Sequence, residues 1–150
     1  MTQVGPPTGP SAGLLAGPLG TIFDTDLVAG VHLWSSALDV DYVRGVVRRG
    51  GWRFGHLDGS RVVTVEDLHD AISGALGFPS YYGRNLDALA DCLADCDGSQ
   101  LLLWDDWGGL ARTEPRVTAI VLDLLGASRV TTLLRGAGAA PTGGGFLRVS

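Results

Sequence analysis

The chain has 150 residues, 45% of them apolar and 18% charged, with a formal net charge of -5 and no lysine. That length and apolar content suffice to bury one core, which points to one small globular domain. Phosphate binding needs clustered Lys or Arg, so the acidic balance excludes a role in holding nucleic acid and favours a basic protein partner.

Residues 1–20, with Pro6, Pro7, Pro10 and Pro18 among glycines and small residues, carry breakers without periodicity, which predicts a disordered arm. The remainder, 21–150, is expected to fold as one domain. Val31–Trp34 reads as a strand, and Val40, Val43, Val46 and Val47 give helical spacing that Gly50 and Gly51 stop. Residues 31–51 therefore form an N-terminal βα addition. Trp52–Leu57 reads as a second strand, closed by the turn residues Asp58 and Gly59. Thr64, with Asp67 three residues later, is a helix N-cap, and Val65, Leu68, Ile72 and Leu76 line one face of the helix that follows. Gly77 and Pro79 end it.

An aromatic loop, Phe78–Arg84, leads into a helix expected from about Asn85 to Cys96, capped by Asn85 and buried through Leu86, Leu89 and Leu93. The unbroken apolar run Leu101–Trp104 suits a parallel strand covered on both faces, with Asp105 and Asp106 at its end. A helix is predicted after Glu114 and Pro115, with Val117, Ile120, Val121 and Leu124 inward, and a last strand over Val130–Leu134. The stretch 135–150 is a Gly-rich tail in which Phe146–Val149 either adds an edge strand or trails off. Strands alternating with helices imply an α/β fold, a short parallel sheet of three to four strands packed with helices.

Residues four apart on a helix lie one above the other, about 5 to 6 Å between Cβ atoms, so Asp87, Asp91 and Asp95 stack into a row. Like charges at that spacing weaken a helix by roughly 0.2–0.5 kcal/mol per pair. Asp87 regains some of this from the helix N-terminus, whereas Asp91 and Asp95 gain little. One explanation is the solvated face of an amphipathic helix. Against it, the charges are of one sign, Asp97, Asp105 and Asp106 can extend the patch, and Arg84 is the only basic residue between positions 84 and 107. A straight helix cannot wrap carboxylates around a calcium ion, and a convex surface lacks the recessed, unequal pair that acid–base catalysis needs. No catalytic residue, metal site or cofactor is expected; docking to a cationic protein site needs only protruding, fixed carboxylates.

The run Tyr81-Tyr82-Gly83-Arg84-Asn85-Leu86-Asp87-Ala88-Leu89-Ala90-Asp91-Cys92-Leu93 closely resembles the signature of the barstar family, intracellular inhibitors of the ribonuclease barnase. Asp67-Leu68-His69 and Leu76–Pro79 resemble the first helix and following loop of that family, and the collinear similarity runs over residues 52–134, the barstar-like core. The resemblance implies a barstar-like fold and inhibition by plugging a ribonuclease active site. Asp87 and Asp91 would stand where substrate phosphates bind enzyme cations. Tyr81 would supply an aromatic anchor, Gly83 a close backbone approach and Asn85 a cap or hydrogen bond. Asp95 lies outside the motif and would act as a supporting charge. Where the family carries a tryptophan between the two aspartates, this chain has Ala90, which removes contact area.

Cys92 and Cys96, one helical turn apart, read as reduced, buried thiols, which favours the cytosol. No basic start with an apolar run and cleavage site opens the sequence, and no apolar stretch approaches the roughly 20 residues that span a bilayer, so neither export nor membrane association is expected. His32, His56 and His69 lack any nucleophile motif around them and read as structural; Trp104 and Trp107 read as core. Two functions stay open. One is an inhibitor of a basic secreted or effector ribonuclease, barnase-like. The other is a non-inhibitory interaction or regulatory module that binds a different basic protein through the same acidic face.

Overall fold

The computed structural model describes residues 30–34, 38–136 and 147–149, the last three by their backbone. The expected arm over 1–20 and most of the glycine-rich tail lie outside the described residues. In chain order the elements are β1 (Gly30–Trp34), α1 (Val40–Arg49), β2 (Arg53–Asp58), a 3-10 turn (Gly59–Arg61), α2 (Val65–Leu76), α3 (Leu86–Ala94), β3 (Gln100–Asp105), α4 (Gly108–Thr113), α5 (Pro115–Gly126), β4 (Thr131–Arg135) and β5 (Leu147–Val149).

The strands form one parallel sheet in the order β2-β3-β4-β1-β5. The three strands of the core segment sit side by side, as the sequence implies. The N-terminal addition then extends the same sheet, β1 pairing with β4, and the segment that could have trailed off supplies β5 beside β1. The core segment contributes three strands, within the three to four expected, and the N-terminal unit and the tail bring the sheet to five.

Side chains alternate across a strand, and the two faces of this sheet have separate owners. On one, Leu102, Trp104, Leu57 and Leu134 meet the apolar stripes of α2 (Leu68, Ile72, Leu76), α3 (Leu89, Leu93) and α5 (Val121, Leu122, Leu125). On the other, Leu101, Leu103 and Leu133 are covered by α1 through Val43, Val46 and Val47, with Trp34 and Trp52 at the margins. The unbroken leucine run of β3 is explained by this double cover: it is buried throughout.

Local chemistry fixes the ends that matter for the site. Thr64 accepts from the Asp67 N–H while the Asp67 carboxylate accepts from Thr64 N–H, a complete capping box for α2. Gly77 closes the helix at φ 69°, a left-handed conformation that glycine adopts without a Cβ penalty. At Gly55 a Cβ would stand 2.2 Å from the Ala75 carbonyl oxygen, so glycine is what allows α2 to lie directly on β2.

Candidate functional site: the acidic helix and its loop

α3 starts from Asn85, whose extended backbone (φ -142°, ψ 170°) directs its side-chain oxygen to accept from Ala88 N–H at 2.8 Å. The amide nitrogen of the same side chain donates to the Gly83 carbonyl at 3.3 Å. Asn85 therefore shapes the junction between loop and helix, as the sequence predicts of a cap, with its side chain committed to that work.

The preceding loop is held at several points. Phe78 N–H reaches the Ser73 carbonyl, Tyr82 N–H reaches that of Pro79, and the Phe78 and Tyr82 rings pack with centroids 5.0 Å apart. Tyr82 is buried, its hydroxyl 2.6 Å from Nδ1 of the buried His69. Arg84 takes a left-handed backbone (φ 57°) and pairs with Asp70 of α2. Tyr81, by contrast, is 85% exposed.

Tyr81, Gly83, Asn85, Asp87, Asp91 and Asp95 all lie on exposed positions of this loop–helix segment, while Leu89 and Leu93 point into the core. The helix ends at Ala94, two residues short of the expected Cys96, with Asp95 as its C-cap in helical geometry (φ -84°, ψ -9°). The row survives with Asp95 at its end, where the helix dipole disfavours a negative charge. Among the described residues no ion pair reaches Asp87, Asp91 or Asp95. Arg84, the nearest cation in sequence, is drawn away to α2.

The patch is narrower than the sequence suggests. Asp97 pairs with Arg53 and accepts from the hydroxyl and backbone N–H of Ser99, contacts that hold its carboxyl below the usual range. Asp105 belongs to a different cluster at the carboxyl edge of the sheet. Arg135 donates to it through Nε (2.6 Å) and Nη2 (3.0 Å), and His56 Nε2 lies 2.9 Å away. Burial raises its pKa, but the hydrogen bonds and positive charge of Arg135 and His56 outweigh this and leave the carboxyl below its ordinary value. Arg135 also donates to the Leu38 carbonyl and stacks its guanidinium 5.3 Å from the Trp34 ring, tying the N-terminal unit to the core. Sequence reasoning missed this cluster, because its members come from three strands far apart in the chain.

Both cysteines are free, and burial raises each thiol's pKa, so they are poor nucleophiles. They line a cleft of about 190 Å³ with Arg53, Phe78, Pro79 and Asp95. Trp104 and Trp107 are core residues. Among the described residues no helix is long and apolar enough to cross a membrane, and no three His, Cys, Asp or Glu converge on a metal-sized space.

The architecture, a parallel sheet with helices on both faces and an acidic helix exposed at the surface, defines an α/β protein. The sequence profile described as Barstar (barnase inhibitor) matches residues 52–136, more than half of the chain, and the chain belongs to that family. The Putative ribonuclease inhibitor YrdF of Bacillus subtilis (strain 168) is 57% identical over 37 residues, 25% of this chain and 41% of YrdF. The match thus spans about two fifths of that relative's length. The solved structure described as "Structure of Drosophila ORC bound to DNA" superposes on 87% of this chain and 41% of its own, with a TM-score of 0.62 at 14% identity. That likeness is one of fold alone.

Proposed function

We propose that the protein is a non-catalytic, cytoplasmic inhibitor of a basic, barnase-like ribonuclease, and that it plugs the enzyme's cationic active site with α3 and the loop before it. The observation that carries this reading is the pair Asp87 and Asp91: exposed, held on a helix, and without a paired cation among the described residues. Membership of the barstar family and the name borne by YrdF support the choice of a ribonuclease as partner. A ribonuclease active site must neutralise phosphate charge, and two fixed carboxylates reproduce that charge without a scissile bond. Because the carboxylates are already ordered by α3, docking them costs little conformational entropy. Tyr81 adds a large apolar anchor beside them, and Gly83 presents backbone without a side chain in the way. Asp95 contributes long-range attraction, with Asn85 holding the loop–helix junction in shape.

The test is capture with the full chain from its source organism, followed by a ribonuclease assay on the purified partner. The expected result is a one-to-one complex with a basic ribonuclease whose activity is blocked, and whose association slows as salt screens the acidic face. A captured basic protein without ribonuclease activity, bound through the same face, would replace this reading with that of a non-inhibitory interaction module.

A further inference from the structure

The cleft of about 190 Å³ beside the acidic row lies where two helices end. The C-caps of α2 and α3, Gly77 and Asp95, both line it, together with the first residues of β2 and β3, Arg53 and Gln100. Pockets for cofactors and drug-sized ligands run from roughly 300 Å³ upward, so this one has room for a single side chain or a comparably small group.

Its electrostatics select the sign of the occupant. The carbonyl end of a helix carries roughly half a negative charge and is stabilised by cations. Neither α2 nor α3 has a basic residue in its last turn. Asp95 adds a full negative charge at the rim, and among the described residues no ion pair neutralises it. Arg53, which also lines the cleft, is engaged with Asp97 at 2.9 Å. The thiols of Cys92 and Cys96, pushed up by burial, stay neutral and leave the balance negative.

Gln100 supplies a second, independent sign of a missing occupant. Side chains alternate along β3, so Gln100 shares the helix-covered face with Leu102 and Trp104. It is only 6% exposed, and what remains accessible lines the cleft. Among the described residues no hydrogen bond reaches its side-chain amide. A buried amide without a partner is destabilising, and an apolar side chain of similar shape would avoid that cost. What the amide offers is an unused acceptor deep in a cleft that favours positive charge. Leu76 and Phe78 add an apolar wall. A guanidinium suits this combination better than an ammonium, because it is weakly hydrated, lies flat against an aromatic ring and donates several hydrogen bonds at once.

We propose that the cleft receives an arginine side chain of the basic partner, its guanidinium paired with Asp95 and donating to the Gln100 side-chain oxygen, its stem lying along Leu76 and Phe78. That the partner is a ribonuclease rests on the inhibitor reading; the preference of the cleft for a guanidinium does not. Asp95 then makes a direct contact besides its long-range attraction. The binding face runs from Tyr81 past Asp87 and Asp91 to the far end of α3.

The experiment is an amide NMR titration of the full chain with N-acetylarginine amide, using N-acetylcitrulline amide as the uncharged isostere. The arginine probe is expected to give saturable shifts of the Gln100 side-chain amide and of the Gly77 and Cys96 backbone amides, at concentrations about tenfold or more below those needed for citrulline. Gln100→Leu and Asp95→Asn are each expected to weaken the probe about fivefold or more, read at Gly77 and Cys96. Neither should lower the urea midpoint, since one variant removes an unpaired buried amide and the other a charge that opposes the helix end. No saturable shift in wild type would overturn the proposal, as would equal shifts from the two probes or shifts confined to Asp87 and Asp91. Undiminished probe binding by Asp95→Asn, an exposed substitution that leaves the core intact, would overturn it too. With a ribonuclease identified as above, each variant is expected to raise the dissociation rate by about tenfold. Wild-type dissociation rates in both would overturn the proposal and leave the inhibitor reading standing. If wild type inhibits no ribonuclease, the inhibitor reading falls and the probe titration alone decides the role of the cleft.

Discussion

Removing residues 1–51 leaves the whole family-matched segment, 52–136, and should nevertheless leave it unable to fold as a stable monomer. α1 is what covers Leu101, Leu103 and Leu133, each fully buried. Returning a leucine to water costs roughly 1.5–3 kcal/mol, so three of them put an upper bound of about 5–9 kcal/mol on the loss, before Trp52 and the exposed edges of β4 and β5 are counted. Neighbours in the sheet keep part of that area shielded, and roughly half the bound is the more realistic figure. A domain of this size has on the order of 5–15 kcal/mol in total. The truncated chain should therefore lose its near-ultraviolet circular dichroism, give a broad urea transition and associate on a sizing column. A sharp, cooperative transition from a monomer, with a midpoint close to that of the full chain, would refute the view that α1 is part of the core.

Three further outcomes follow from the same geometry. Asp95→Asn removes a like charge one turn from Asp91 and a negative charge at the helix C-terminus, and should stabilise the protein by about 0.3–1 kcal/mol in urea denaturation; a loss of stability would show that Asp95 has a partner in the free protein. Arg135→Met leaves the largely buried Asp105 without its main counter-charge and should cost roughly 2–4 kcal/mol, somewhat below the value for a fully buried pair because both groups retain some exposure. The same variant changes the acid limb of stability. In wild type the folded pKa of Asp105 lies below 3.8, so its contribution is present above that pH and is lost as pH falls through the folded value. Without Arg135 only His56 opposes the effect of burial, so the Asp105 component should shrink, which comparison of urea midpoints across acid pH would detect.

The helices and strands that the sequence made legible are those with strong local signals. The valines of α1, the Thr64–Asp67 capping box, the Asn85 cap and the four-residue apolar run of β3 each follow from spacing or capping chemistry within a dozen residues. α4 was not legible, because Gly108 and Gly109 open it and Trp107 gives it no side-chain cap. Nor could the sequence place β1 between β4 and β5, since strand order is set by tertiary packing of chain segments about a hundred residues apart. At the site, the outward row of carboxylates and the exposed Tyr81 were visible from helical periodicity and the family motif. The pairing of Asp97 and Asp105 with cations was not. It depends on Arg53 reaching Asp97 and on Arg135 reaching Asp105, contacts 44 and 30 residues long. His69, read as a structural histidine, is buried and hydrogen-bonded to Tyr82, a partner thirteen residues on that spacing alone does not reveal.

The central claim is that Asp87 and Asp91 act as fixed anions inside a ribonuclease active site. Titration of the identified ribonuclease with wild type and with Asp91→Ala tests it most directly, with urea denaturation as a control that folding is intact. The account predicts that Asp91→Ala weakens inhibition by about 30-fold or more, equivalent to about 2 kcal/mol at a binding hot spot, and that it shallows the salt dependence of association. Equal inhibition by the two proteins, with the same response to salt, would contradict it.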